Sequence, residues 1–347
     1  MIKPLSRKSF WLLILATPLM VVLVLSGIWV FSHTSTALYS PEPVTVVIRQ
    51  GEALGSFVGR LAGDGIIRNP LFLKILAKIR RDANRIQAGE YIFQGRITPD
   101  EFLDILVEGH ARLVQLTIPE GFNLADVAAR LEELGLGNGK EFLRLSKNPE
   151  FIRQIEVPIQ PARPNLEGYI FPETYHLHAG LDEGALLRAM VKQFAQQAAP
   201  LLKNVPPHLN MNPYQVLVLA SIIEKETGAG HERPLISAVF HNRLKIKMPL
   251  QSDPTIIYGV QNFDGNLTLV HKNTRTEYNT YQIGGLPPTP IANPGLESIK
   301  AALNPAKVDY LYFVSKGDGT HFFSKDYSTH RKAVKKYQVL PYRRKKS

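Results

Sequence analysis

The stretch PYQVLVLASIIEKETGAGHERPLISAVFHNRLKIKMPLQSD, residues 213–253, decides how the rest of the chain is read. From Val216 to Ile223 every residue but Ser221 is apolar, which predicts a helix buried on most sides. Two acids, Glu224 and Glu226, close that run. Glu226 lies three, four and seven positions after Ile223, Ile222 and Leu219, so it continues their face. Glu224 follows Ala220 and Ser221 instead. A carboxyl at the mouth of an apolar cleft loses hydration, and its pKa rises. Such a group keeps its proton near neutral pH and can hand it to a leaving group. The same acids could equally cap a surface helix end or pair with Lys225 and Arg233, and spacing alone leaves both readings open. A second helix follows over 232–244, with Leu235, Ile236, Val239 and Phe240 on one face.

Downstream come Leu250-Gln-Ser-Asp-Pro-Thr-Ile-Ile-Tyr258 and Glu277-Tyr-Asn-Thr-Tyr281. Residues 284–295 carry Pro287, Pro288, Pro290 and Pro294. Such a segment can be neither regular helix nor central strand, and is expected to be a fixed, extended loop. A short helix is expected over 296–304, then a hairpin with strands at 310–315 and 319–324 turning on Gly317-Asp-Gly319. Upstream, Leu166-Glu-Gly-Tyr-Ile-Phe-Pro-Glu-Thr-Tyr175 is dense in aromatics and acids, Glu173 among them. It suits a glycan cleft, where rings stack on sugars and carboxylates accept their hydroxyls, or a core strand with a turn at Pro172. Residues 182–203 read as an amphipathic helix. The irregular end of 136–165, with prolines at 149, 158, 161 and 164, is taken as a boundary. It separates a region over 44–160 from a mixed α+β domain over 161–338 that contains the Glu-bearing helix. A basic tail follows at 339–347.

The earlier region holds an internal repeat. VTVVIRQGEALGSFVGRLAGDG at 44–65 aligns with VQLTIPEGFNLADVAARLEELG at 114–135. Each copy reads as an alternating strand, a glycine turn and a helix with apolar spacing of three and four. The first copy continues into a helix over 70–81 and a strand near 90–93. This arrangement resembles a LysM-like module, a small unit associated with cell-wall glycans. Before it, residues 10–31 form an uncharged run flanked by Lys3, Arg7 and Lys8, with Trp11 and Trp29 near its ends. The expectation is a single membrane-spanning helix with residues 1–9 cytoplasmic, and a linker over 32–43. A cleaved signal peptide fits less well, because the run is long and no A-x-A site follows.

The chain has 347 residues, 44% of them hydrophobic, and a net charge of +11. Much of that excess sits at the two ends. No Arg-rich recognition helix or zinc-finger spacing appears, so nucleic acid is not an expected partner. A basic protein suits anionic lipid or an acidic glycopeptide polymer. There is no cysteine, which excludes disulfides and thiol catalysis. His231, Glu232 and His241 lack the H-E-x-x-H spacing, and no phosphate-cradling glycine loop is present. No metal or cofactor is called for.

Five motifs occur in order: Ser221-Ile-Ile-Glu-Lys-Glu-Thr227, Asn242-Arg-Leu244, Leu250-Gln-Ser-Asp-Pro-Thr255, Tyr278-Asn-Thr-Tyr281, and the proline-rich 285–295. Together they resemble the YceG-like family, most strongly over 166–325. The resemblance implies an inner-membrane lytic transglycosylase with its C-terminal domain in the periplasm. It implies a carbon–oxygen lyase that cuts the β-1,4 bond between N-acetylmuramic acid and N-acetylglucosamine in nascent peptidoglycan, leaves 1,6-anhydro ends and terminates strand growth. It places the family's catalytic acid at Glu226, with Glu224 as fallback, and makes peptidoglycan synthases candidate partners. Gln251, Ser252, Asp253, Tyr278, Asn279, Tyr281 and Glu173 are then expected to line sugar subsites. Two other readings stand beside it: a hydrolytic muramidase using Glu226 with Asp253, and a non-catalytic peptidoglycan-binding tether.

Overall fold

The computed structural model describes residues 7–109, 113–178, 182–261 and 263–340. Two compact units divide the chain: residues 1–115 with 176–182, and residues 116–175 with 183–347. The first unit holds α1 (Arg7–Thr34), β1 (Leu38–Ile48), α2 (Leu54–Gly63), α3 (Pro70–Ile79), β2 (Gly89–Ile97) and α4 (Pro99–Glu108). β1 begins within the segment read as a linker and pairs antiparallel with β2, Val46 opposite Tyr91. The register breaks between Ser40 and Val44, where Pro41 and Pro43 cannot donate to the ladder. Alternation along β2 buries Tyr91 and Phe93, which pack with Phe57 and Leu61 of α2, Leu73 and Leu76 of α3, and Phe102 and Leu106 of α4. The Thr98–Glu101 capping box starts α4, and Gly109 at φ 74° ends it.

The expected membrane helix over 10–31 is not found. Among the described residues, no helix is long and apolar enough to cross a membrane. At the C-terminal end of α1 one side of the last turns meets protein, while Trp29, Val30 and Phe31 are exposed. Ile28 packs on the core of this unit, Ser32 is buried, and the Phe31 ring lies 4.5 Å from that of Phe72. His33 pairs with Asp100 at 3.2 Å. The single-pass inner-membrane topology, with a cytoplasmic N-terminus and a periplasmic C-terminal domain, rested on that run and is overturned with it. The expected basic tail lies mostly outside the described residues.

The second unit begins within the second repeat copy. β3 (Leu113–Thr117) pairs with β4 (Thr174–His178) in a two-stranded sheet. α5 (Leu124–Glu133) follows the Gly121 turn at φ 79°, just as α2 follows the Gly51 turn at φ 77°. Next come α6 (Gly139–Leu145), α7 (Pro149–Gln154), α8 (Glu183–Gln197) and α9 (Ala199–Leu202). The central helix is α10 (Pro213–Glu226). Pro213 at its first turn and an Asn212–Gln215 capping box start it, and Val216 to Ile223 are all buried. It packs against α11 (Arg233–Lys245), α12 (Asp253–Gly259) and α14 (Leu296–Leu303), with α13 (Leu269–Asn273) between the last two in sequence. The antiparallel hairpin of β5 (Tyr312–Ser315) and β6 (His321–Ser324) and then α15 (Tyr327–Val334) complete the unit.

The proline-rich segment before α14 is irregular yet buried. Asn293 is fully buried and holds it down: its Oδ1 accepts from the backbone N–H of Gly168 and Ile170, and its Nδ2 donates to Phe122 O at 2.8 Å. The Ile291 N–H donates to Ser221 Oγ on α10. Gly168 sits at φ 89°, and a Cβ there would meet Pro290 at 2.6 Å.

Candidate active site

The end of α10 sends its two acids in different directions. Glu224 is nearly buried and fully occupied: Oε2 accepts from the Gly295 N–H at 2.9 Å, and Oε1 faces Arg233 at 3.3 Å. Between them in sequence, Lys225 donates to Gly121 O. This side of the helix fastens α10 to the start of α14 and to the second repeat's glycine turn.

Glu226 faces a different set of groups. It is half-buried, and Ser252, itself buried, donates to its Oε1 at 2.7 Å. Among the described residues, Oε2 has no hydrogen-bond partner. Burial raises the pKa of Glu226 above the usual carboxylate range. The Ser252 hydrogen bond acts downward, the Asp253 charge upward, and His321 and the Arg243 charge downward. The net direction is upward, so this carboxyl holds a proton at higher pH than an ordinary glutamate does.

Ser252 is positioned by its neighbours. Its N–H donates to Thr280 Oγ1, and its carbonyl accepts from Thr255 Oγ1 at 2.7 Å. Gln251, just before it, is exposed and takes φ 52° in the left-handed region. Asp253 begins α12, and its Oδ1 accepts from Tyr281 Oη at 2.7 Å. Lys272 pairs with the same carboxylate at 3.0 Å and lies over the Tyr281 ring. Glu226, Ser252, Asp253 and Tyr281 thus form one contiguous cluster.

The other sequence-expected residues are placed differently. Asn279 is fully buried, and its Nδ2 donates to the carbonyls of His271, Lys272 and Thr274, while Oδ1 accepts from the Tyr281 N–H. It therefore shapes the loop that presents Tyr281. Tyr278 shares a hydrogen bond with Thr289 and packs edge-on to Tyr258. Glu173 is exposed and accepts from Gln193 on α8. A cavity of about 950 Å³ lies at the opposite end of α10, against Tyr214, Val218 and His241, and touches none of the Glu226 cluster.

Three further groups were given no role from the sequence. Arg243 of α11 is buried and donates to Leu311 O and Leu250 O, tying the segment before Ser252 to the hairpin. Burial lowers its pKa. Glu232 and His321 make a close pair beyond the end of α10. A third buried acid, Glu167, accepts from the Leu124 N–H, from Tyr258 Oη and from Asn293 Nδ2, and burial pushes it up to about 8. Arg243, Glu232 and Glu167 each stand in a stretch quoted from the sequence, but the contacts of the last two span scores of residues. Among the described residues, no group of His, Asp and Glu is arranged to hold a metal ion.

The sequence profile of the YceG-like family matches residues 46–336. The chain belongs to the YceG-like family. Among its YceG-like relatives, a Bacillus subtilis protein named endolytic murein transglycosylase is 30% identical over 312 residues, with 86% of each chain covered. A protein of the same name from Streptococcus pneumoniae is 29% identical; the match covers 85% of this chain and 58% of that longer protein. A crystal structure of a YceG-like protein from Listeria monocytogenes superposes with a TM-score of 0.58 at 30% identity. That match covers 84% of this chain and 99% of the other.

Proposed function

We propose that this YceG-like protein is an endolytic murein transglycosylase that acts on peptidoglycan strands, with Glu226 as its single acid and base. The observation that carries the reading is Glu226 itself: one oxygen held by Ser252, the other without a hydrogen-bond partner among the described residues, and a pKa raised by burial. The Bacillus subtilis relative, covered over most of its length, bears that activity in its name.

Protonated Glu226 gives its proton to the oxygen of the N-acetylmuramic acid–N-acetylglucosamine bond as the C1–O bond breaks. The resulting carboxylate takes the proton from the C6 hydroxyl of the muramic sugar. That oxygen closes on C1 and leaves a 1,6-anhydro end, with no water consumed. Nucleophile and electrophile share one ring, so their effective concentration is high. One carboxyl therefore serves where hydrolysis ordinarily uses two. Ser252 orients the acid, while Tyr281 and Asp253 offer polar groups for sugar hydroxyls beside it. Gln251 and Tyr278 extend that subsite, and Asn279 supports it from beneath.

The charge of Asp253 acting on Glu226 favours one competing reading, a hydrolytic pair. Mass spectrometry of glycan strands treated with the full chain separates the two. The lyase leaves anhydro ends, whereas hydrolysis leaves reducing ends. Release of no fragments by a protein that still binds glycan would leave only a tether.

A further inference from the structure

The cavity at the N-terminal end of α10 is part of a longer groove. A second hollow of about 560 Å³ adjoins it, and Ala162, Asn212 and Tyr214 line both. The larger hollow takes in Lys247, just past α11, and the smaller takes in Lys203, just past α9. All the lining residues lie within the second unit. The floor is apolar, with Leu209, Val218, Leu244 and Leu286 in the larger hollow and Ile159 and Leu202 in the smaller.

The polar side chains of the walls are largely committed. The Tyr214 hydroxyl donates to Pro288 O at 3.0 Å, and His241 Nε2 donates to Ala302 O at 2.9 Å. Asn242 Nδ2 donates to the carbonyls of Val308 and Tyr310. Asn212 and Gln215 close on each other in the α10 capping box. What is left at the rim is charge of one sign. Lys203, His208, Lys245 and Lys247 line the groove and are exposed, while no Asp or Glu lines it. Among the described residues, the three lysines make no hydrogen bond or ion pair.

A bare sugar, held through its hydroxyls, finds few free partners on such a floor. A short extended chain with small apolar groups and carboxylates matches both floor and rim. Tyr214 stands twelve positions before Glu226, roughly 18 Å along α10. A five-residue peptide in extended form spans up to about 17 Å. A peptide borne by a sugar near Glu226 is therefore long enough to reach the groove.

We propose that this groove binds the acidic peptides carried on the glycan strand, so that the protein grips its substrate by peptide here and by sugar beside Glu226. The proposal rests on the reading of peptidoglycan as substrate and adds a second point of hold to it.

The test compares strands that carry their peptides with the same strands stripped by an amidase. Binding of each, fluorescently labelled, is read by anisotropy on the full chain bearing Glu226→Gln, so that nothing is cut during the measurement. Peptide-bearing strands are expected to bind roughly tenfold more tightly. Adding Lys203→Glu, Lys245→Glu and Lys247→Glu together should abolish most of that preference and leave the affinity for stripped strands unchanged. The milder Lys→Gln changes at the same three positions should weaken the preference in the same direction, and they serve if the reversed charges impair folding. Equal affinity for the two kinds of strand overturns the proposal and leaves the groove to an acidic segment of a protein partner. A preference that survives the lysine changes overturns it too, because the peptides are then held elsewhere. Fragments with only reducing ends, released by the wild-type chain, would instead remove the lyase reading and leave the peptide preference standing.

Discussion

The two sides of the α10 terminus are built from the same residue type, two positions apart, and put it to opposite uses. On one side Glu224 meets a backbone N–H and a guanidinium, and both of its oxygens are taken. On the other, Glu226 has one oxygen held by a hydroxyl and a mixed field of charges around it. A carboxylate with both oxygens satisfied is a fastening. One buried with an oxygen to spare can carry a proton. Partnering separates the two, because residues two apart on a helix face different neighbours.

The contrast breaks most plainly at Glu226. Glu226→Gln keeps the shape and removes the exchangeable proton, so turnover of glycan strands should fall by about 10²- to 10⁴-fold with the melting temperature little changed. Retained turnover, measured by release of anhydro-ended fragments, would dissolve the distinction. Glu224→Ala should do the reverse, costing about 2–3 kcal/mol in urea unfolding by leaving the Gly295 N–H without its acceptor and taking one of its carboxylate partners from Arg233. Activity lost at unchanged stability would transfer the proton-donor role to that residue.

Glu167 sharpens the comparison as a third acid that is fully buried but away from the cluster. Burial raises its folded pKa from 4.5 to about 8, so the folded chain holds a proton that the unfolded chain has released. Its contribution to stability is present below pH 4.5 and is lost as pH rises toward 8. The slope is at most about 1.4 kcal/mol per pH unit. Glu167→Gln should flatten that decline in melting temperature while glycan cleavage stays at the wild-type rate. The smallest effect is expected at Ser252. Ser252→Ala removes a hydrogen bond that acts downward on Glu226, so the high-pH limb of kcat/KM should move up by roughly half a unit.

Much of this arrangement was legible from residue order. The apolar run forecast α10, the Gly317–Gly319 turn forecast the hairpin, and the repeat forecast a glycine turn in each copy. Helical spacing also favoured Glu226 over Glu224 as the acid on the apolar face. What spacing could not carry was partnering. The Gly295 N–H that occupies Glu224 and the hairpin residue that meets Glu232 are each some seventy or more positions away. Asn279, expected at a sugar subsite, has its amide committed to three carbonyls. The run over 10–31 misled for a related reason. Hydropathy sums side chains without seeing that Ile28, Phe31 and Ser32 have protein to pack against.

Stretches without helix or strand are usually where a chain tolerates an extra residue or a spliced tag. The proline-rich segment ahead of α14 offers no such freedom. Asn293 reaches two separate strips of backbone from a single amide, and Pro290 fills the space that Gly168 leaves open. Lengthening it by one residue would throw those matches out of step at once. Anyone engineering this protein should graft onto the exposed turn at 317–318, and leave the prolines as they stand.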